Sequence, residues 1–153
     1  EVYGLYAEGT AIGTVNAAIS RESGSGTRGA FDELVKNSEG KTLDKAESFA
    51  KCVQTQNSTG AVITQISTAG NTNLIGYISL GSLSEKVKAL KYNGVEATVA
   101  NIESGAYKLS RPFLLLSKEG KTLSEAAQKF HDFIFSAEGQ AIVEKDGYIK
   151  AVK

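Results

Sequence analysis

The sequence predicts an α/β fold. Residues 74–80 and 111–117 are apolar runs of strand length, bounded by turn-forming residues. Other segments carry apolar residues at helical spacing: Phe31, Leu34 and Val35 in one, and Leu123, Ala127, Phe130 and Ile134 in another. Strand and helix patterns that alternate along a chain point to strands packed under their connecting helices. The 153 residues suffice for one domain, or one lobe of a larger protein, with a full core. A chain of that size buries about 68% of the surface exposed when unfolded. No internal repeat or low-complexity linker interrupts it.

The elements follow in order. Tyr3, Leu5 and Tyr6 make a short aromatic segment, and after a Gly-punctuated stretch residues 12–19 are expected as a strand. A Gly/Ser loop over residues 21–27 leads into the helix of Phe31, Leu34 and Val35. After Gly40, Leu43, Ala46, Phe49, Ala50 and Val53 form an amphipathic pattern, read as a helix that carries Cys52. Ser58 or Thr59 is placed to cap a further helix with Val62 and Ile66. The strand at 74–80 comes next. Residues 87–92 and 95–99 are expected to pair as a hairpin, because Asn93-Gly94 tolerates the positive φ angles of a type I′ turn. A short helix ends at Gly105. The strand at 111–117 is entered through Pro112, the only proline. Two helices close the chain, one over about 123–135 and one from Ser136 to Gly147.

Composition excludes several classes of function. Seventeen basic residues balance seventeen acidic ones, so no net field recruits nucleic acid or an anionic membrane. One Cys and one His cannot build a Cys/His zinc site, and no EF-hand loop is present. No apolar run approaches the roughly 20 residues that span a bilayer, and the first residues do not read as a signal peptide.

The chemistry concentrates in Ser23-Gly24-Ser25-Gly26-Thr27, between an expected strand and a helix. Its glycines allow a tight turn and close approach to a ligand. Ser25 and Thr27 supply hydroxyls, and the first-turn N–H groups of the helix lack intrahelical partners and favour an anion. Arg21 adds a planar fork suited to an oxyanion, and Arg28 stands in the helix's first turn. Local pattern leaves two readings open, a capped turn and an anion site. A nucleotide-hydrolysing loop would need Lys after Gly26, and a hydrolase elbow would need glycines two places either side of Ser25; both are absent. His131 reads as an edge or surface residue, Cys52 as a small core or boundary residue, and Tyr77 and Tyr107 as packing residues.

The run Ile19-Ser20-Arg21-Glu22-Ser23-Gly24-Ser25-Gly26-Thr27-Arg28-Gly29-Ala30-Phe31 resembles the phosphate loop of the substrate-binding proteins of bacterial phosphate ABC transporters. Leu74-Ile75-Gly76-Tyr77-Ile78-Ser79-Leu80-Gly81 is similar to an inner strand of that family. Ser110-Arg111-Pro112-Phe113 resembles the segment that follows. Ser136-Ala137-Glu138-Gly139-Gln140 and Gly147-Tyr148 resemble its C-terminal helices. The resemblance covers about residues 19–150. It implies one lobe of a type II periplasmic-binding-protein-like fold, with a central mixed sheet flanked by helices. Residues 1–18 would be a shortened lead-in, 19–110 the phosphate-loop lobe, and 111–153 a return strand with C-terminal helices. It also implies non-catalytic binding of inorganic phosphate, with no cofactor and no metal. Arg21, Ser25, Gly26 and Thr27 would be the ligand residues, and Ser23, Gly24 and Arg28 further members of the site. Where some relatives carry an acidic residue two places after the arginine, this chain has Ser23, with Glu22 one place earlier. The implied partners are transporter permease subunits and either a first lobe or a second copy of the chain. The implied location is extracytoplasmic, in a periplasm or as a cell-surface lipoprotein, although neither a signal nor an anchor is read in this chain. The alternative is a one-lobe scaffold that has lost tight anion binding.

Overall fold

Strand β1 (Ala17–Arg21) is the centre on which the first part of the chain is built. In the computed structural model, which describes residues 1–68 and 70–151, β1 lies between β2 (Val53–Gln56) and β3 (Leu74–Gly76). Ala18 pairs with Val53 on one side and Ala17 with Leu74 on the other. Both pairings are parallel, so the expected mixed sheet is corrected to a parallel one. The reason lies in the connections. Helix α2 (Gly26–Leu34) lies between β1 and β2, and α3 (Thr59–Ser67) between β2 and β3. Each helical crossover returns the chain to the edge from which the next strand must start.

A parallel strand covered by helices is buried on both faces, and β1 shows how. Ala18 joins Tyr3, Leu5, Tyr6, Val35 and Leu43 in one buried cluster. Ile19, pointing the other way, lies against the strand-β3 glycine under α3. A Cβ at Gly76 would sit 3.4 Å from Ile19 Cβ, 3.1 Å from Val62 Cγ1 and 3.3 Å from Ile66 Cδ1, so glycine is what lets α3 close onto the sheet. The aromatic opening segment is helix α1 (Val2–Glu8), ended by Gly9 in the left-handed conformation. It buries Tyr3, Leu5 and Tyr6, and the Tyr6 hydroxyl donates to the Ile19 carbonyl at 3.0 Å.

Several expected elements are shorter or different. β1 begins only at Ala17, because Ile12 and Val15 instead close a tight turn through a single bridge. Residues 43–53 are not a helix. Leu43–Lys45 is one 3₁₀ turn, and Val53 opens β2. Leu43 is in the buried cluster and Val53 packs against it, one from a turn and the other from a strand, which mimics helical spacing. Cys52 therefore sits just before β2, half-buried, with its Sγ–H directed at the Leu5 carbonyl 3.6 Å away. β3 stops at Gly76, and Leu80–Ser82 is a 3₁₀ turn. Asn93 and Gly94 do adopt positive φ, 50° and 79°, but only Tyr92 and Val95 pair across them. No sheet face shelters the flanks, where Leu90 is exposed. Thr98 caps helix α4 (Val99–Glu103) instead of extending a strand.

The chain divides into two compact units, Glu1–Arg111 and Pro112–Lys153. In the second, α5 (Glu125–Phe135) is followed at once by α6 (Ala137–Lys145). Ser136 serves both: it is the C-cap residue of α5 and its Oγ accepts from Gly139 N–H as the N-cap of α6. The expected strand at 111–117 does not form. Among the described residues it has no neighbouring strand to pair with, and Phe113 and Leu116 are 85% and 91% exposed. The final two residues of the expected 111–153 segment lie outside the described residues.

Candidate functional site

The strand order β2-β1-β3 makes the carboxyl end of β1 a switch point. From β1 the chain crosses to one side to form β2, then returns past β1 to form β3. The connections diverge there and leave a crevice, the usual ligand position in parallel α/β sheets. Arg21 is the last residue of β1, and the Gly/Ser loop fills the gap between it and α2.

The loop is both a cap and an open helix start. Gly24 has φ 86°, a conformation that favours glycine. Ser25 is the N-cap of α2, its Oγ accepting from Arg28 N–H at 3.3 Å. That bond satisfies one first-turn donor and leaves the N–H groups of Gly26 and Thr27 without an intrahelical partner. Thr27 Oγ1 shares a 3.3 Å hydrogen bond with Ser79 Oγ, from the segment beyond β3. Ser23 is exposed.

Arg21 is held from three sides. Its Nε donates to Glu22 Oε2 at 2.7 Å and its Nη2 to Glu22 Oε1 at 2.9 Å, a bidentate pair. Its Nη1 donates to Thr59 Oγ1, at the start of α3, at 2.9 Å. Its backbone N–H donates to the Tyr77 hydroxyl at 3.0 Å, which also shares a 2.8 Å bond with Ser20 Oγ. A guanidinium has five N–H donors. Three are used, so two remain for a ligand. The hydrogen bond with Glu22 raises the Arg21 pKa, and the same bond holds the Glu22 carboxyl below its ordinary value.

Arg28 points inward, against the surface position common for first-turn arginines. Its Nε donates to Asp32 Oδ2 at 3.2 Å, its Nη1 to the Arg21 carbonyl at 3.1 Å, and its guanidinium lies 4.7 Å from the centre of the Phe49 ring. It ties the start of α2 to the end of β1. Asp32 is 8% exposed with Oδ1 unpartnered, and burial raises its pKa despite the opposing pull of Arg28. Arg111 reaches the loop from far along the sequence, its Nη2 donating to the Gly26 carbonyl at 2.7 Å.

The structure therefore gathers Arg21, Ser25, Gly26, Thr27 and Arg28 around one loop. It adds Asp32, Thr59, Tyr77, Ser79 and Arg111, which the sequence did not single out for the site, and it sets Glu22, the acidic residue one place after the arginine, against Arg21. The Arg28–Asp32 pair had a legible signal, its i,i+4 spacing on a helix. Thr59, Ser79 and Arg111 had none, since only folding brings them to the loop. Tyr77 does pack, stacked on Phe31 at 4.0 Å, but its hydroxyl also fixes the end of β1. Tyr107 packs edge-on against Tyr92. His131 is on the surface of α5 in the second unit, 3.2 Å from Asp132. Among the described residues no cluster of three His, Cys, Asp or Glu side chains could hold a metal, and no helix is long and apolar enough to cross a membrane.

Known proteins are similar to this chain in sequence and fold. The chain is 50% identical over 141 residues to phosphate-binding protein PstS 2 of Streptococcus agalactiae, covering 90% of this chain and 46% of that protein. It superposes with a TM-score of 0.81 and 38% identity on a Clostridium perfringens protein whose crystal structure contains bound phosphate, covering 98% of this chain and 60% of that one. An ABC-type phosphate transport receptor from Vibrio cholerae matches with a TM-score of 0.77 and 28% identity, over 97% of this chain and 61% of the receptor. The chain spans about half the length of the curated relatives it matches. The sequence profile of the PBP superfamily domain matches residues 9–138, which take in the parallel sheet and the whole Gly/Ser loop. The chain belongs to the PBP superfamily.

Proposed function

We propose that this chain carries the phosphate-loop half of a solute-binding protein of a phosphate ABC importer, and that it binds inorganic phosphate without transforming it. The observation that carries this reading is Arg21. It is braced by Glu22 and Thr59 with two N–H groups to spare, beside a helix start whose Gly26 and Thr27 amides are open. In this reading Arg21, Ser25, Gly26 and Thr27 hold the phosphate. Ser23 and Gly24 shape the turn, and Arg28 braces it. Residues 1–18 lead in, residues 19–110 form the loop-bearing lobe, and residues 111–153 return toward a first lobe. Permease subunits are the partners of the whole protein, which works outside the cytoplasmic membrane. The relatives named for phosphate binding support the reading.

A ligand gripped from one side keeps part of its hydration shell, so the isolated chain binds more weakly than a two-sided cleft. Calorimetric titration of phosphate, with sulfate as control, tests the assignment. Charge-assisted hydrogen bonds contribute about 1.5–3 kcal/mol each, so Arg21→Ala is expected to weaken binding at least about tenfold. Equal affinity in the variant overturns the site. A second reading, a one-lobe interaction module, is favoured by the exposed apolar run Phe113-Leu114-Leu115-Leu116. Tight self-association with indifference to phosphate selects it.

A further inference from the structure

The three arginines at the loop are not equivalent. Arg21 is paired with Glu22 and Arg28 with Asp32, so two of the three positive charges are matched within the protein. Arg111 has no carboxylate within ion-pair distance among the described residues; its guanidinium donates to the Gly26 carbonyl. It is also solvent-exposed, with four of its five N–H donors uncommitted.

Its position is electrostatically odd. Gly26 is the first residue of α2, the positive end of the helix. That end carries roughly half an elementary charge and repels cations. An exposed arginine gains little by settling there, since bulk water solvates a guanidinium well. The loop thus combines two matched ion pairs, an unmatched guanidinium and the positive pole of a helix. An anion at the open Gly26 and Thr27 amides relieves that excess.

We propose that Arg111 is a further contact of this anion site, donating to the same tetrahedral oxyanion as Arg21 and supplying the net positive charge that the paired arginines do not. This rests on the anion-binding reading above. Arg111 can reach an oxyanion at the loop because its Nη2 already lies 2.7 Å from the Gly26 oxygen.

The test is an NMR titration of the ¹⁵N-labelled chain with inorganic phosphate into the millimolar range, which registers weak binding as well as tight. The readouts are the backbone amides of Gly26 and Thr27 and the side-chain Nε–H of Arg111. The Arg111 signal is expected to move with the same midpoint as the two amides. Arg111→Gln is expected to raise that midpoint about tenfold, the usual loss for one charge-assisted contact, with Arg111→Lys in between. Melting temperatures should be unchanged, because the residue is exposed. If the amides respond while the Arg111 Nε–H does not move and Arg111→Gln keeps the parent midpoint, the Arg111 assignment falls and the anion site stands. If the amides of Gly26 and Thr27 do not respond at all, the anion site falls and Arg111 with it.

Discussion

Glu22 and Asp32 each face an arginine, yet their surroundings push their carboxyl groups in opposite directions. The hydrogen bond from Arg21 lowers the Glu22 pKa, so its contribution to stability is present above the unfolded glutamate pKa and disappears as pH falls through the depressed value. The melting-temperature difference between the parent and Glu22→Gln should therefore be full at neutral pH and vanish in acid. The same variant frees Arg21 to swing and should weaken phosphate binding several-fold in calorimetry. Burial raises the Asp32 pKa. Its contribution is complete below the unfolded aspartate pKa and is lost as pH rises through the folded one. Relative to Asp32→Asn, the parent should gain melting temperature as the pH is lowered, the reverse of the Glu22 comparison. An opposite slope in thermal melts against pH would show that Arg28, not desolvation, governs this carboxyl. Sequence made the loop residues legible because Gly, Ser and Arg advertise their chemistry in order along the chain. The braces were hidden because Thr59 and Ser79 are ordinary polar residues until the fold sets them beside Arg21 and Thr27.

At the scale of elements, caps and close contacts decide where helices begin and how they meet. Removing the α2 cap with Ser25→Ala should cost about 1 kcal/mol in chemical denaturation, in addition to any loss of phosphate affinity. Gly139 is the tighter constraint. A Cβ there would fall on the Phe133 carbonyl oxygen and lie 2.9 Å from that of Ile134. Gly139→Ala is therefore expected to destabilise the α5–α6 corner by about 3 kcal/mol, read as early loss of helical signal on heating. Helices α2 to α6 were legible in the sequence, Ser58 and Ser136 capping α3 and α6 near the places their side chains suggested, whereas α1 was read only as an aromatic segment. Strands were harder, because an apolar run records burial and not pairing. Residues 74–80 hold only three paired positions, residues 112–117 hold none, and Leu43 and Val53 imitate a helix by meeting the same core.

For the molecule as a whole, the second unit exposes the apolar side chains Phe113, Leu114, Leu116, Phe130 and Ile142, and exposed apolar surface promotes association. Sedimentation velocity on the isolated chain should show association that grows with concentration, and a Leu114→Ser, Leu116→Ser double variant should shift it toward monomer. The family was legible because its motifs recur in order over most of the chain. The sheet's parallel direction was not, since direction depends on which edges the crossovers join. That sheet also sets a timetable for synthesis. β1 leaves the ribosome before either of its partners, the first of which begins at residue 53 and the second at residue 74. Thr27 waits 52 residues for Ser79, and Gly26 waits 85 for Arg111. Contacts so distant in sequence bear a high loop-closure entropy and form slowly. The Gly/Ser loop is thus made well before it is completed, and a nascent chain halted before residue 79 holds the loop's residues without the neighbours that shape it.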